Sequence, residues 1–188
     1  MTNTDWGWDD RLNTVGTNTS ASIHIITTRL ALARISSNSV IEASLWLDAG
    51  KKARKGGLYH VAENCLSHAD AVYRHLQTRS STESTPTSDH LDIHASEVSL
   101  QLAKIKHAMG KSTEALSMVN LDDFDRLLQT KTEILDKMKK DDRLKLVGRS
   151  ALQATEWMVE SGLKSGSEVI ARYKFLNKIL PEWERGTV

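Results

Sequence analysis

The sequence predicts an all-α chain, an α-solenoid of antiparallel helical hairpins. Three observations carry that reading. Apolar residues recur at i, i+3 and i+4 through most of the chain, the period of a helix with one buried face. Glycines at positions 56, 57, 110 and 162 interrupt these stretches where the backbone has to reverse. Nothing alternates apolar and polar residues as a half-buried strand does. A hydrophobic content of 39% with only two prolines in 188 residues suits a folded helical chain rather than a disordered one.

Residues 1–20 are rich in Thr, Asn, Asp and Gly and read as an irregular N-terminal segment, with Trp8 and Leu12 as its one local anchor. The helical-repeat region is expected over 21–188, beginning with a helix from about Ser22 to Ile35. The Ser36-Ser-Asn-Ser39 cluster supplies N-caps for the next helix, on which Ile41, Leu45, Ala49 and Ala53 share a face beside Trp46 until Gly56 and Gly57 stop it. A long helix follows, with Leu58, Val61, Ala62, Cys65, Leu66, Ala69, Val72, Tyr73 and Leu76 on one face.

Residues 78–88 hold eight Ser or Thr in eleven positions and cannot bury enough apolar surface to offset their ordering, so a mobile loop is expected there. Asp89 is placed to cap a helix whose face runs Leu91, Ala95, Val98, Leu102, Ile105 and Met109 up to Gly110. A short helix is expected around Ser112 to Val119, and an amphipathic piece over 122–139 with Phe124, Leu127, Leu128, Ile134, Leu135 and Met138. Asp141 and Asp142 open a helix carrying Leu144, Val147, Ala151, Ala154 and Met158. After Gly162 a last helix carries Tyr173 and Leu176 towards Pro181 and Trp183.

The turns share a spacing. Gly57 is followed five residues on by Ala62, and Gly110 by Ala115, small residues that let two antiparallel helices approach. Trp46, Gly50, Gly57, Ala62, Leu66 and Ala69 stand at the intervals of a tetratricopeptide repeat, and Tyr173, Leu176 and Pro181 keep part of that register, so the repeats read as degenerate.

Charge and composition exclude several classes of function. Twenty-five basic against 24 acidic residues leave a net charge of +1, without the basic footprint that drives phosphate binding, so no direct nucleic-acid partner is expected. The single cysteine, Cys65, leaves no internal disulfide and suits a reducing compartment. No run approaches the roughly 20 apolar residues that span a bilayer, and the first ten residues lack the basic and apolar regions of a secretory leader. No membrane partner is expected. The polar start, and the stop just after a tryptophan motif, read as the ends of a piece of a longer protein.

Candidate chemistry is sparse. Among seven histidines, His60, His68 and His75 lie roughly on one side of the third helix, and His90 and His94 are spaced i,i+4 as a zinc pair would be. The pair lacks the glutamate of the metalloprotease motif and a third ligand in register, so surface or packing histidines are the better reading; a small helical enzyme using the pair would carry stoichiometric metal. Lys51-Lys-Ala-Arg-Lys55 resembles a nuclear-import or phosphate patch, yet it sits in the last turn of a helix, where the macrodipole favours cations. Lys137-Met-Lys-Lys140 is offset by Asp136, Asp141 and Asp142 and reads as solvated. Trp46, Trp157 and Trp183 fall on or beside apolar stripes and read as wedges between helices. With no phosphate loop, nucleophile elbow or Asp-Phe-Gly, the sequence offers no catalytic, cofactor-binding or metal residue.

Four motifs in chain order carry a resemblance. They are Trp8-Asp-Asp-Arg11-Leu12; Trp46 through Gly57 with Ala62, Asn64, Leu66 and Ala69; Gly148-Arg149 through Gly162; and Arg172-Tyr-Lys174 with Leu180-Pro-Glu-Trp-Glu184 and Gly186. Together they resemble the FAT domain of the phosphatidylinositol-3-kinase-related protein kinases, the ATR-type checkpoint kinases in particular. The resemblance implies a non-catalytic scaffold within a large serine/threonine kinase of DNA-damage and replication-stress signalling, located in the nucleus. Its partners would be the kinase domain and neighbouring helical repeats of the parent chain, together with an obligate regulatory protein. ATP and Mg would belong only to the kinase domain. The FAT helices would clamp that domain and regulate it allosterically. The alternative is a free-standing tetratricopeptide-type module that binds a peptide tail.

Overall fold

A computed structural model describes residues 7–16, 18–80, 88–119, 121, 124–126, 142–163 and 166–179. The protein is all-α, with helical hairpins packed in sequence order as in an α-solenoid, and no strand occurs among the described residues. It divides into two compact units, Met1–Gln101 and Leu102–Val188.

The first unit contains α1 (Trp8–Val15), α2 (Thr19–Ile35), α3 (Ser39–Lys55), α4 (Tyr59–Ser80) and most of α5 (Ser88–Ala108). α1 corrects the expectation of an irregular segment over 1–20. Its apolar positions are few, but Leu12 packs on the cluster of Ile26, Leu30, Ala33, Leu45, Ala49 and Cys65. Tertiary burial thus supplies what local propensity lacks. α2 also starts earlier than Ser22, because the Asn18 side chain accepts from the Ala21 N–H at 3.0 Å and caps it.

The Ser/Thr segment is corrected at both edges. α4 runs through Thr78 to Ser80 and α5 begins at Ser88, while residues 81–87 lie outside the described part. Thr78 is accommodated because its hydroxyl donates back to the Arg74 carbonyl at 2.9 Å. Asp89, expected as a cap, falls inside α5. On α5 the buried set is Leu91, Val98, Leu100, Gln101, Ala103 and Ile105, wider than the expected stripe and leaving Leu102 half-buried. α4 departs the other way: Ala62, Cys65, Leu66, Ala69 and Tyr73 are buried, but Leu58 and Val61 at its start are exposed.

The second unit holds the end of α5, α6 (Ser112–Met118), a helical stretch at 124–126, α7 (Asp142–Glu160) and α8 (Gly166–Ile179). Most of the expected 122–139 piece and the Pro181–Trp183 end lie outside the described residues. Ala103, Ala115, Val119, Ala154 and Trp157 form one core, and Phe124, Ala151 and Leu176 another.

Four reversals share one hydrogen-bonded turn. Ser37, Gly57, Gly110 and Gly162 have φ of 53°, 75°, 79° and 64°. Their N–H groups donate to the carbonyls of Arg34, Arg54, His107 and Val159, and the following N–H groups reach back to Ala33, Ala53, Lys106 and Met158. This is the Schellman pattern, which satisfies the orphan carbonyls of a helix end. The next residue already accepts the first bond of the new helix at Asn38, Leu58 and Lys111, so these hairpins reverse in the fewest residues. Counting back seven from the three glycines gives Gly50, Ala103 and Thr155, all buried. Counting on five gives the fully buried Ala62 and Ala115, but the exposed Ser167. Approach is close at Gly50, where a Cβ would stand 2.5 Å from Leu66 Cγ.

Candidate binding surface

The histidines are spent on helix packing more than on any convergent site. His68 stacks on Trp46 with centroids 4.7 Å apart, His94 on Tyr73 at 5.4 Å, and His107 on Trp157 at 4.6 Å. His107 Nε2 also meets Glu160 at 3.1 Å. Each stack ties one helix to another through a flat contact that an aliphatic side chain would not match. Among the described residues no three His, Cys, Asp or Glu converge as metal ligands. Burial pushes the Cys65 thiol up, the opposite of what a reactive thiolate needs. Burial, then the nearby Asp48, holds the Tyr73 phenol at about 12.

The basic run 51–55 is woven into the seam between α3 and α5. Lys51 Nζ lies 3.1 Å from Glu97, Arg54 Nε donates to Gln101 Oε1 at 3.0 Å, and Gln101 Nε2 donates to the same Glu97 at 2.8 Å. Desolvation lowers the Arg54 pKa, opposed by Tyr59 and Glu97. The run does end α3, where the helix-end reading placed it, and Lys51 and Arg54 also serve packing against α5. The 137–140 lysines and Trp183 lie outside the described residues.

Trp46 and Trp157 are wedges, as expected. In the second unit the Arg172 guanidinium sits 5.4 Å over the Phe124 ring and donates to Asp125 at 3.0 Å, while Phe124 meets Phe175 edge-on at 5.6 Å. The motif residues Arg172 and Tyr173 therefore fasten α8 to the 124–126 stretch and α7 rather than face a substrate. Burial, and then Glu156, raises the Tyr173 phenol.

One concave feature was not anticipated from sequence. A groove of about 320 Å³ opens between the end of α2, the first half of α3 and the middle of α4, lined by Arg34, Ser39, Glu42, Trp46, His68 and His75 among others. Arg34 Nε bonds Glu42 Oε1 at 2.8 Å and its guanidinium lies 5.4 Å over Trp46. The residues come from three helices, so no linear spacing announces them. Donors beside an aromatic wall equip the groove to hold a ligand.

A protein-family model described as the FAT domain matches residues 1–187. No curated protein and no solved structure matches the chain.

Proposed function

The chain belongs to the FAT-domain family, and we propose that it serves an ATR-type checkpoint kinase as the non-catalytic helical scaffold that clamps the kinase domain and regulates it. Membership implies a helical scaffold of a phosphatidylinositol-3-kinase-related kinase, associated with the other domains of its parent chain. Four like turns and local hydrophobic clusters among the described residues support a scaffolding role, since hairpins held by their sequence neighbours can pass a displacement along. The observation that carries the proposal is the family match across nearly the whole chain. The four motifs noted in the sequence favour the ATR branch, with its nuclear location and obligate regulatory partner, and ATP and Mg remain with the kinase domain.

The test is made in the intact parent kinase. Tyr173→Ala opens the α7–α8 contact without touching any ATP-binding residue. The reading expects a change of several-fold in basal or partner-stimulated phosphorylation at an unchanged KM for ATP. Unaltered activity in both states, with the parent protein as abundant and as heat-stable as before, would sink it.

A further inference from the structure

We propose that the groove at the Ser37 end of the α2–α3 hairpin receives an acidic side chain of a peptide segment whose neighbouring residues are large and apolar. The inference stands on the first unit alone and does not depend on the kinase reading.

The key group is Arg34. Its Nε is engaged by Glu42 and its Cζ lies 5.4 Å from the Trp46 ring centroid, two contacts that restrict the guanidinium. Among the described residues its two Nη groups carry no hydrogen bond. A guanidinium held by one edge with its outer fork free is preorganised for a carboxylate, because the ordering has already been done by Glu42 and Trp46. Ser39 and His75 line the same groove and likewise carry no bond among the described residues. Glu42, the one carboxylate among the lining residues, is already matched by Arg34 Nε. The groove is thus rich in donors.

The flanks specify the rest of the occupant. Ile35 is 82% exposed, Val40 53%, Ile41 48% and Leu32 45%, all within one turn or so of the same reversal. Four large apolar residues exposed at one hairpin end mark a contact surface more than ordinary solvent-facing chain. A nucleic acid would leave them wet, and the net charge of +1 gives it no wider footing. A peptide covers them while placing its acid on Arg34.

The test uses the full chain as bait for a random-peptide library displayed on phage. Enriched peptides are resynthesised with their acid intact and as the amide. Expected is enrichment of Asp or Glu flanked by large apolar residues, with affinity falling about tenfold or more for the amide peptide and for Arg34→Gln. Ile35→Ser, at a site too exposed to affect folding, should weaken binding several-fold. The proposal is overturned if no peptide is enriched over a blank support, or if those enriched lack an acid. Binding to Arg34→Gln within twofold of the natural chain, with its thermal melt unchanged, also overturns it. So does displacement of the peptide by low-millimolar inorganic phosphate, which would reassign the groove to a phosphate group.

Discussion

Ser37 and Glu156 show how much a single residue decides. Ser37 occupies, at φ 53°, the position that glycine holds in the other three turns. An L side chain in that region costs about 1–2 kcal/mol, while glycine's extra freedom in the unfolded chain returns up to about 1 kcal/mol. Ser37→Gly is therefore expected to stabilise the protein by about 0.5–1 kcal/mol, measured by urea unfolding; a loss would mean that the side chain makes a contribution beyond its backbone strain. Glu156 has a raised pKa, first from burial and then from Glu160, with Lys104 opposing. The folded state consequently binds its proton more tightly than the unfolded one. Stability falls as pH rises from the ordinary carboxylate range through the raised pKa, and the deficit is complete above it. Glu156→Gln should raise the melting temperature at pH 7, by less than about 1 kcal/mol equivalent after solvent screening. The amide can keep the contact with Gln153. The advantage should vanish near pH 3, and a gain of the same size at both pH values would contradict the linkage.

At the scale of helices, the two terms for Gly50 oppose each other and can be ranked. Alanine in a helix interior is favoured over glycine by about 1 kcal/mol. Against that, the new Cβ would stand 2.5 and 2.6 Å from Leu66 Cγ and Cδ2. Leu66 is fully buried and has nowhere to swing, so overpacking of about 1–3 kcal/mol prevails. Gly50→Ala is expected to destabilise the first unit by about 1–2 kcal/mol net, and a smaller cost of Gly50→Ala in a Leu66→Ala background, read from a double-mutant cycle, would locate the cause. The same elements show what the sequence can and cannot disclose. Gly57, Gly110 and Gly162 were legible as turns because αL backbone selects glycine; the break between Ile35 and Ser39 was legible from its capping residues, but nothing in a serine announced the left-handed backbone at Ser37. α1 was missed because Leu12 is helical for the sake of Ile26 and Leu30, residues whose proximity no local pattern encodes. The groove was missed for the same reason, since Arg34, Trp46 and His75 meet only after two reversals.

For the whole molecule, the cores decide how it comes apart. Each unit has hydrophobic clusters of its own, that of Ile26, Leu30 and Cys65 in the first and those around Trp157 and Phe124 in the second. Chains built from neighbour-packed hairpins lose cooperativity over length, because a perturbation is felt first by the repeats it touches. Trp46 and Trp157, stacked on His68 and His107, are natural reporters of the two units. With fluorotryptophan labelling, each gives its own resonance through a urea titration. Gly50→Ala should move the Trp46 midpoint down by about twice the shift at Trp157 or more, since the lesion lies among contacts of the first unit. Coincident transitions, displaced equally by that substitution, would show one cooperative block instead. That outcome bears on function, because a scaffold that regulates by displacement needs hairpins able to shift against one another at modest cost.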